Sequence, residues 1–332
     1  MYWILEEEKR ASSFHLARSQ LNNTLTAVEG LRVGHAKDLR ERTGCTVVLL
    51  EPEAPVAVDA RGGYPTTFDT DGIGITKTYV NRHAIFLAGG DVYGLDAPAG
   101  IWKYLIGRGR VSYEAGGKLP LVVGATIYDL FLANMKRVNY HEIAYRACEN
   151  ASERSVTEGL VGAGTGATVG SYMGHRFKSK SGLGSCALRL PKRIVVGVIA
   201  VPNSMGSIYD YKDGRLIAGA RNGKGRHVGF EEYLPKYVGE RANRRHTTLA
   251  IVATNATLTH EELFKLAQVA HNGLAMAIRP VHTSEDGDTI FATSTGRIKI
   301  PGERKRMIDA IGYCASVCVA KAVVRGVRAA KE

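Results

Sequence analysis

Two adjacent threonines, Thr247 and Thr248, lie where a basic polar segment gives way to an apolar run, in the stretch RRHTTLAIVATNA. Threonine is β-branched and favours strands, so an ordinary strand start is one explanation for both residues. The alternative is nucleophilic chemistry, because a threonine hydroxyl attacks a carbonyl group once a base accepts its proton. Since alternate residues of a strand point to opposite faces, only one of the two side chains can face a common site.

A second group of reactive side chains lies in the stretch SEDGDTIF, where Gly287 separates Asp286 from Asp288. The i, i+2 spacing places both carboxylates on one face if the segment is extended. Two carboxylates beside an amine could hold or orient its ammonium form. The alternative interpretation is an Asp-Gly turn whose acids are solvated.

Several familiar site motifs are incomplete in this sequence. The densest glycine stretch contains Gly162, Gly164 and Gly166 but lacks the final glycine of a dinucleotide-binding fingerprint, so we expect these glycines to shape backbone beneath a site. The stretch NGKGRH lacks the rest of a phosphate-binding loop, and the nucleophile elbow GxSxG is missing. The ten histidines show no HExxH or paired spacing, and we therefore expect neither a metal ion nor a cofactor.

The composition of the 332 residues, 45% hydrophobic and 23% charged, is typical of a folded protein. The formal charge is +12, but Lys and Arg are spread along the chain without a zinc-ligand or RNA-recognition signature, so no nucleic-acid partner is expected. Five cysteines form no CxxC pair, which favours a reducing compartment. The amino-terminal stretch lacks the apolar core of a signal peptide and no run approaches transmembrane length, which predicts a cytoplasmic protein without a membrane partner.

The hydrophobic pattern predicts strands alternating with helices. Residues 43–63, TGCTVVLLEPEAPVAVDARGG, contain two short apolar runs around a Pro/Glu turn, which predicts a hairpin or two sequential strands. Residues 211–246 show no clear element, and a segment that long is usually functional or mobile. Thr259, with Glu262 three residues on, predicts a capping box at the start of a helix. We predict a layered α/β protein with one continuous core, preceded by an amino-terminal arm over residues 1–24.

Four more strands and three more helices follow from the same periodicities. The strands are predicted in AIFLAGG, LPLVVGATIYDLF, RIVVGVIAVPNSMGSIYD and TIFATST, in addition to TTLAIVATNA. The helices are predicted in APAGIWKYLIGRG, YHEIAYRACENAS and RKRMIDAIGYCASVCVAKAVVRGV.

Seven stretches occur together in a fixed order: LTAVEGLRVGHAKDLRERTGCTVVLLEPEAPVAVDARGG, AGGDVYGLDA, PLVVGATIYDL, VGAGTGATVG, KSGLGS, HTTLAIVATNA and SEDGDTIFATST. Together they resemble the DmpA-like (S58/P1) family of self-processing N-terminal-nucleophile aminopeptidases and amidases, closest in motif to the endo-type 6-aminohexanoate-oligomer (nylon oligomer) hydrolases. The resemblance spans roughly residues 25–325. It implies a four-layer αββα sandwich of the N-terminal-nucleophile hydrolase type, shared with ornithine acetyltransferases, as a single domain over residues 25–332.

The resemblance implies that the chain cuts itself between His246 and Thr247, giving an alpha chain of residues 1–246 and a beta chain of residues 247–332. The freed α-amine, which titrates near ~7.7–8.0, would then act as the base for the Thr247 hydroxyl. The family motif favours Thr247 over Thr248 as the nucleophile. Relatives usually carry Asn or Gly before the nucleophile, whereas this chain carries His246.

Supporting residues are also implied by the resemblance. Asn203 matches the asparagine that donates a hydrogen bond to the oxyanion. Lys180 matches a lysine that lowers the pKa values of the hydroxyl and amine, with Lys178 as a competitor and a solvated loop lysine as the alternative. Tyr128 matches a tyrosine of the substrate and oxyanion pocket, and Tyr93 is a second candidate for that pocket; a core tyrosine is the alternative.

Asp286 and Asp288 match the Asp-Gly-Asp of the nylon-oligomer branch, where aminopeptidase relatives tend to carry Ser-Gly-Glu. We therefore expect hydrolysis of linear amides, either 6-aminohexanoate-type oligomers or short peptides and amino-acid amides. The alternatives are an aminopeptidase preferring D- or β-amino acids, an acyltransferase of the ornithine acetyltransferase kind, and a non-catalytic basic binding protein. The family's assemblies imply a homotetramer of cleaved chain pairs.

Overall fold

The computed structural model describes residues 22–114, 117–129, 138–239, 246–300 and 302–330. Within these ranges the α-helices are α1 Ala97–Gly107, α2 Tyr140–Glu149, α3 Phe230–Tyr237, α4 His260–Ala277 and α5 Arg304–Ala329. The strands in the first half of the chain are β1 Leu31–Asp38, β2 Thr43–Ala60, β3 Thr67–Phe68, β4 Asn81–Ala88, β5 Ser112–Glu114, β6 Gly117–Leu119 and β7 Val122–Thr126. The later strands are β8 Thr168–Val169, β9 Ser179–Lys180, β10 Gly184–Arg189, β11 Val195–Asn203, β12 Ser207–Tyr209, β13 Leu216–Ala218, β14 Ala220–Arg221, β15 His227–Val228, β16 Thr247–Ala256, β17 Ile278–Arg279 and β18 Thr289–Ile298.

The long strand β2 belongs to two stacked sheets and joins them in one continuous order of hydrogen-bonded strands. That order is β10-β11-β16-β18-β2-β4-β7-β3, with β1 also paired to β2. The first part of β2 pairs with β1 and β4, and its last residues pair with β18. The predicted hairpin or strand pair over residues 43–63 is therefore wrong. The chain continues as one strand of 18 residues, with a register shift between Leu49 and Ala54, because this strand passes from one sheet into the other.

Alternation of side chains along each strand divides the core into layers. In β16, Ala250 and Val252 pack beneath α4 and α5, whereas Leu249 and Ile251 lie between the two sheets. In β4, Phe86 packs against α1 and α2. Helices thus cover both outer faces of two stacked sheets, which confirms the predicted αββα sandwich.

Three strands position the predicted site residues. β16 lies between β11 on one side and β18 on the other, antiparallel to the first and parallel to the second. In this register Asn203 at the end of β11 stands opposite Thr247 at the start of β16. The segment containing Asp286 and Asp288 leads directly into β18, so it reaches the same edge of the sheet.

The two carboxy-terminal helices form one face of the sandwich. Helix α4 begins at the predicted capping box, in which Thr259 and Glu262 each accept a hydrogen bond from the other's main-chain N–H. Helix α5 is long and apolar enough to cross a membrane, contrary to the expectation that no run approaches that length. Of its most apolar window, however, 67% is buried within the protein, where it packs on α4 and the sheet. Its apolar residues therefore belong to the core.

The basic region before β16 contains more regular structure than expected. Helix α3 and the short strands β13, β14 and β15 lie within residues 211–239, so the expectation of no clear element there is wrong. Residues 240–245, the end of this region, lie outside the described residues, as do residues 1–21 of the predicted amino-terminal arm. All five cysteines are buried and free, in agreement with the expectation of no disulfide framework.

Candidate active site

Thr247 is the first residue of β16, and its hydroxyl is directed back at the preceding peptide bond. The hydroxyl donates to the carbonyl oxygen of His246 at 2.5 Å. The main-chain N–H of Gly287 donates to the same oxygen at 2.7 Å, and the His246 N–H donates to the Glu285 carbonyl at 3.0 Å. The loop that precedes β18 therefore binds both the main-chain N–H and the carbonyl group of His246, immediately before Thr247.

Thr248 contacts the same loop only through its main chain. Its N–H donates to Oδ1 of Asp288 at 2.6 Å. Its hydroxyl is buried and has no hydrogen-bond partner among the described residues. Since strand side chains alternate, this hydroxyl points away from the face on which Thr247 lies. The geometry therefore directs the Thr247 hydroxyl, and not the Thr248 hydroxyl, at the carbonyl group of His246.

Asp288 is held by hydrogen-bond donors on both oxygens. Besides the Thr248 N–H on Oδ1, its Oδ2 accepts from the main-chain N–H of His282 at 2.9 Å and contacts Nδ1 of the His282 imidazole at 2.9 Å. His282 has a positive φ of 58°, so the backbone turns sharply to bring both groups to one oxygen. Asp288 thus links the start of β16 to the loop before β18.

Asp286 is fully buried beside Asp288. Its Oδ1 accepts from the Met205 N–H at 3.3 Å, and its Oδ2 accepts from the Thr283 N–H at 3.1 Å and the Thr283 hydroxyl at 2.5 Å. Burial, reinforced by the negative charge of Asp288, raises the pKa of Asp286 to about 7. The two predicted carboxyls therefore interact, and one of them exchanges its proton near neutral pH.

Asn203 lies opposite Thr247 and is itself fixed by neighbours. Its Oδ1 accepts from the Thr168 N–H at 3.0 Å, and its Nδ2 donates to the main-chain carbonyl of Tyr128 at 3.1 Å. An amide nitrogen carries two hydrogens, so Nδ2 can donate to a second acceptor while keeping this bond. Two main-chain groups therefore set the orientation of the Asn203 amide, and its role as an oxyanion donor stays a prediction.

The other predicted residues lie on separate segments of the chain. Lys180 is exposed on β9, and its strand partner is Thr168, which binds Asn203. Lys178 lies close enough to lower the pKa of the buried Asp129 carboxyl, although burial dominates and raises that pKa to about 6. Tyr93 is 54% exposed on a 3-10 turn between β4 and α1. The roles of the two lysines and of Tyr93 stay predictions.

No metal-binding cluster of three or more His, Cys, Asp or Glu side chains occurs among the residues that the structure describes. The carboxylates at the site instead accept hydrogen bonds from backbone N–H groups and a hydroxyl, and one of them contacts an imidazole. The chemistry that these groups support is proton transfer and attack by a hydroxyl on a carbonyl.

A sequence model of peptidase family S58 matches residues 23–332. The chain belongs to peptidase family S58. It is 33% identical over 329 residues to an uncharacterized aminopeptidase of Mycobacterium bovis, covering 92% of this chain and 93% of that protein. It is also 33% identical over 278 residues to a 6-aminohexanoate-oligomer endohydrolase of Agromyces sp., covering 82% of this chain and 75% of the relative.

Solved structures show the same fold. The L-aminopeptidase D-Ala-esterase/amidase of Ochrobactrum anthropi, a variant of the Ntn hydrolase fold, superposes with a TM-score of 0.69 at 19% sequence identity, covering 93% of this chain and 87% of that chain. Together with the family match, this confirms the resemblance to the DmpA-like family. This S58 peptidase is an amide-bond hydrolase.

Sequence reasoning missed several groups that shape the S58 site. A Cβ on Gly62 would lie 2.1 Å from the Asp286 carbonyl oxygen, so only glycine lets the end of β2 approach the acidic loop. His282 and Ser171 were not singled out either; the Ser171 hydroxyl lies 2.6 Å from Nε2 of the buried His246. The double glycine in DARGG was a visible signal for a close backbone approach, whereas neither His282 nor Ser171 stands in a recognisable pattern.

Proposed function

We propose that the chain is a self-processing N-terminal threonine hydrolase, which cleaves itself between His246 and Thr247 and then hydrolyses linear amides. The observation that carries this proposal is the geometry at one carbonyl oxygen. The Thr247 hydroxyl and the Gly287 N–H both donate to the His246 oxygen, at 2.5 Å and 2.7 Å. The nucleophile and a donor for the developing negative charge thus meet at the same peptide group.

Processing follows as an N-to-O acyl shift. Oγ1 of Thr247 bonds to the carbonyl carbon of His246, and negative charge develops on the oxygen that already accepts from Gly287. The carbon–nitrogen bond then breaks, and the Thr247 nitrogen receives the proton lost by the hydroxyl. Water hydrolyses the resulting ester, which leaves a carboxylate on His246 and a free amine and hydroxyl on Thr247.

The two fragments would stay together because they share one sheet. Strand β16 of the later fragment is hydrogen-bonded to β11 of the earlier one, and β18 of the later fragment is hydrogen-bonded to β2. Cleavage before Thr247 breaks one peptide bond at the start of β16 and leaves the hydrogen bonds between these strands intact. The homotetramer of such pairs stays a prediction, which a native mass measurement would test.

Turnover would use the same threonine. The α-amine of Thr247 takes the hydroxyl proton, Oγ1 attacks the substrate amide carbon, and the proton passes to the departing amine. Water then hydrolyses the acyl-enzyme. The second hydrogen of Asn203 Nδ2 would donate to the oxyanion, while Asp288 accepts from the main-chain N–H of Thr248, next to the nucleophile.

The substrate class follows from the relatives together with the acidic pair. The Agromyces relative is named for 6-aminohexanoate oligomers and the Mycobacterium bovis relative is named an aminopeptidase. Both names describe hydrolysis of linear amides. We therefore propose 6-aminohexanoate-type oligomers and short peptides or amino-acid amides as the substrates to examine first.

The direct assay incubates the purified chain with 6-aminohexanoate oligomers, short peptides and amino-acid amides, and measures released amine. We expect hydrolysis of at least one of these classes by the wild type and by Thr248→Ala, and none by Thr247→Ala. Hydrolysis by Thr247→Ala at the wild-type rate would contradict the proposal. Adding an amine acceptor distinguishes hydrolysis from acyl transfer, because a transferase would form the acylated acceptor in preference to the free acid.

A further inference from the structure

His282 contacts the acidic pair, and neither the sequence motifs nor the mechanism above gives it a role. Its main-chain N–H and its Nδ1 both lie 2.9 Å from Oδ2 of Asp288. Its other nitrogen, Nε2, is buried without a hydrogen-bond partner among the described residues. With the imidazole proton on Nδ1, His282 would donate twice to one carboxylate oxygen, once from its main chain and once from its ring.

The main-chain donors to the two carboxyls differ in distance. Two N–H groups donate to Asp288 at 2.6 Å and 2.9 Å, whereas the two that donate to Asp286 lie at 3.3 Å and 3.1 Å. The shortest partner of Asp286 is the Thr283 hydroxyl, 2.5 Å from Oδ2, and a hydroxyl can donate or accept. A protonated Asp286 keeps its bond to Thr283 by reversing it, whereas protonation of Asp288 would weaken the two shorter main-chain hydrogen bonds.

We propose that His282 is a positioning residue that holds Asp288 as the anionic member of the pair, so that Asp286 is the member that binds and releases the proton. This inference rests on the proposed function, since it concerns the charge beside the Thr247 nucleophile. With Asp286 protonated, the acidic pair carries a single negative charge. A second charge appears only when Asp286 ionises.

His282 lies among charged and titratable groups of its own loop and of α4. It shares its loop with Glu285, Asp286 and Asp288 and packs against His271, which in turn interacts with Asp59 in β2 and with Arg61 just after that strand. His271 packs edge-on against His282, with ring centroids 4.8 Å apart, and its Nε2 lies 2.9 Å from the Asp59 carbonyl. Burial lowers the pKa of His271 to about 4, so this neighbour is neutral at neutral pH.

The positive φ of His282 allows a matched pair of variants. Glycine and asparagine are the residues that adopt this left-handed conformation at least cost. His282→Gly removes the Nδ1 donor without backbone strain and keeps the main-chain N–H. His282→Asn also fits the conformation and supplies a side-chain N–H close to the position of Nδ1. The two variants therefore differ mainly in the donor to Asp288.

The experiment measures kcat and KM against pH for the full, self-processed chain, with a linear amide that the wild type hydrolyses. We expect His282→Gly to lower kcat by about tenfold or more, with KM within about threefold, and to move the acidic limb of the profile up by about one pH unit. His282→Asn should stay within about threefold of the wild type, with the limb unmoved. An unmoved limb in His282→Gly, or an equal shift in both variants, would overturn the proposal.

Two further results complete the design. If circular dichroism shows that His282→Gly does not fold, His282→Asn decides alone. An acidic limb at the same pH as in the wild type supports the role of His282, and an acidic limb at a different pH rejects it. If the wild type hydrolyses no linear amide, the proposed function fails and this inference fails with it. Wild-type hydrolysis combined with an unmoved limb in His282→Gly rejects only the role of His282.

Discussion

Gly287 donates its main-chain N–H to the carbonyl oxygen of His246 at 2.7 Å, across 41 residues of sequence (287 − 246 = 41). The same oxygen accepts the Thr247 hydroxyl. A backbone donor aimed at this oxygen stabilises the charge that develops when the hydroxyl attacks, without any reorganisation of the protein. In the proposed processing, the acidic loop would therefore contribute a backbone donor to the reacting carbonyl group.

Replacing Gly287 by alanine should slow self-cleavage. A Cβ at this position would lie 2.6 Å from the Tyr64 carbonyl oxygen and 2.8 Å from the Thr247 hydroxyl, so the loop must move and the donor must leave the His246 oxygen. We expect a loss of about 10²–10³ in the cleavage rate, the usual effect of removing one oxyanion donor. The time course of cleavage on a denaturing gel measures it. Gly223→Ala, where a Cβ meets nothing within 4 Å, is the control; equal rates for both variants would contradict the assignment.

Thr248→Val should leave self-cleavage intact and should not destabilise the fold. The Thr248 hydroxyl is buried without a partner among the described residues, so its replacement by a methyl group of the same shape removes a desolvation cost. We expect an unchanged or higher free energy of unfolding, by up to about 1 kcal/mol. Thr247→Val, equally β-branched, should abolish cleavage. Denaturant unfolding and gel electrophoresis measure the two effects; loss of cleavage in Thr248→Val would reverse the roles of the two threonines.

Asn203→Ala should fold and lose turnover. The Asn203 side chain is held by the Thr168 N–H and the Tyr128 carbonyl, so its second Nδ2 hydrogen is preorganised for the substrate oxyanion. We expect kcat to fall by about 10²–10³ with a smaller change in KM. Asn203→Asp keeps the shape of the side chain but replaces the donor with a negative charge, and it should lose at least as much. Wild-type kcat in either variant would remove Asn203 from the oxyanion site.

The protonation of Asp286 should make stability depend on pH. Its pKa is about 7 in the folded chain, against about 3.9 for an unperturbed aspartate. Between these values the folded state holds a proton that the unfolded chain has released, so the free energy of unfolding falls as pH rises toward 7. The expected loss is on the order of a few kcal/mol.

Denaturant unfolding at pH 5 and pH 8 measures this effect, with Thr247→Ala as the uncleaved background. Asp286→Asn should remove most of the decline with pH, because an amide does not titrate. Asp309→Asn, an exposed position on α5, is the matched control and should retain the decline. A decline of the same size in Asp286→Asn would mean that another group causes it.

The strand that begins at Thr247 was predictable from sequence because local patterns specify it. A polar segment meets an unbroken apolar run, and the capping box at Thr259 marks where the next helix begins. The layered architecture was predictable for the same reason, since strand and helix periodicities alternate along the chain. The family resemblance then named Thr247, Asn203, Asp286 and Asp288, which the fold brings to one edge of the sheet and whose roles stay predictions.

Other features depend on contacts between distant segments and have no local signal. Strand β2 was predicted as two pieces because a Pro/Glu pair normally ends a strand, yet pairing with β4 on one side and β18 on the other keeps it extended. The donor to His246 is a backbone group of Gly287, and backbone groups leave no residue pattern. His282 is one of ten histidines, and only the folded loop shows that it faces Asp288.

Intact mass measurement of the purified, denatured chain tests the central claim most directly. The account predicts two fragments, residues 1–246 and 247–332, whose masses together exceed that of the single chain by one water. It predicts a single uncleaved chain for Thr247→Ala and wild-type fragments for Thr248→Ala. A wild-type chain that stays whole, a break at any other bond, or cleavage before residue 247 in Thr247→Ala would contradict the account.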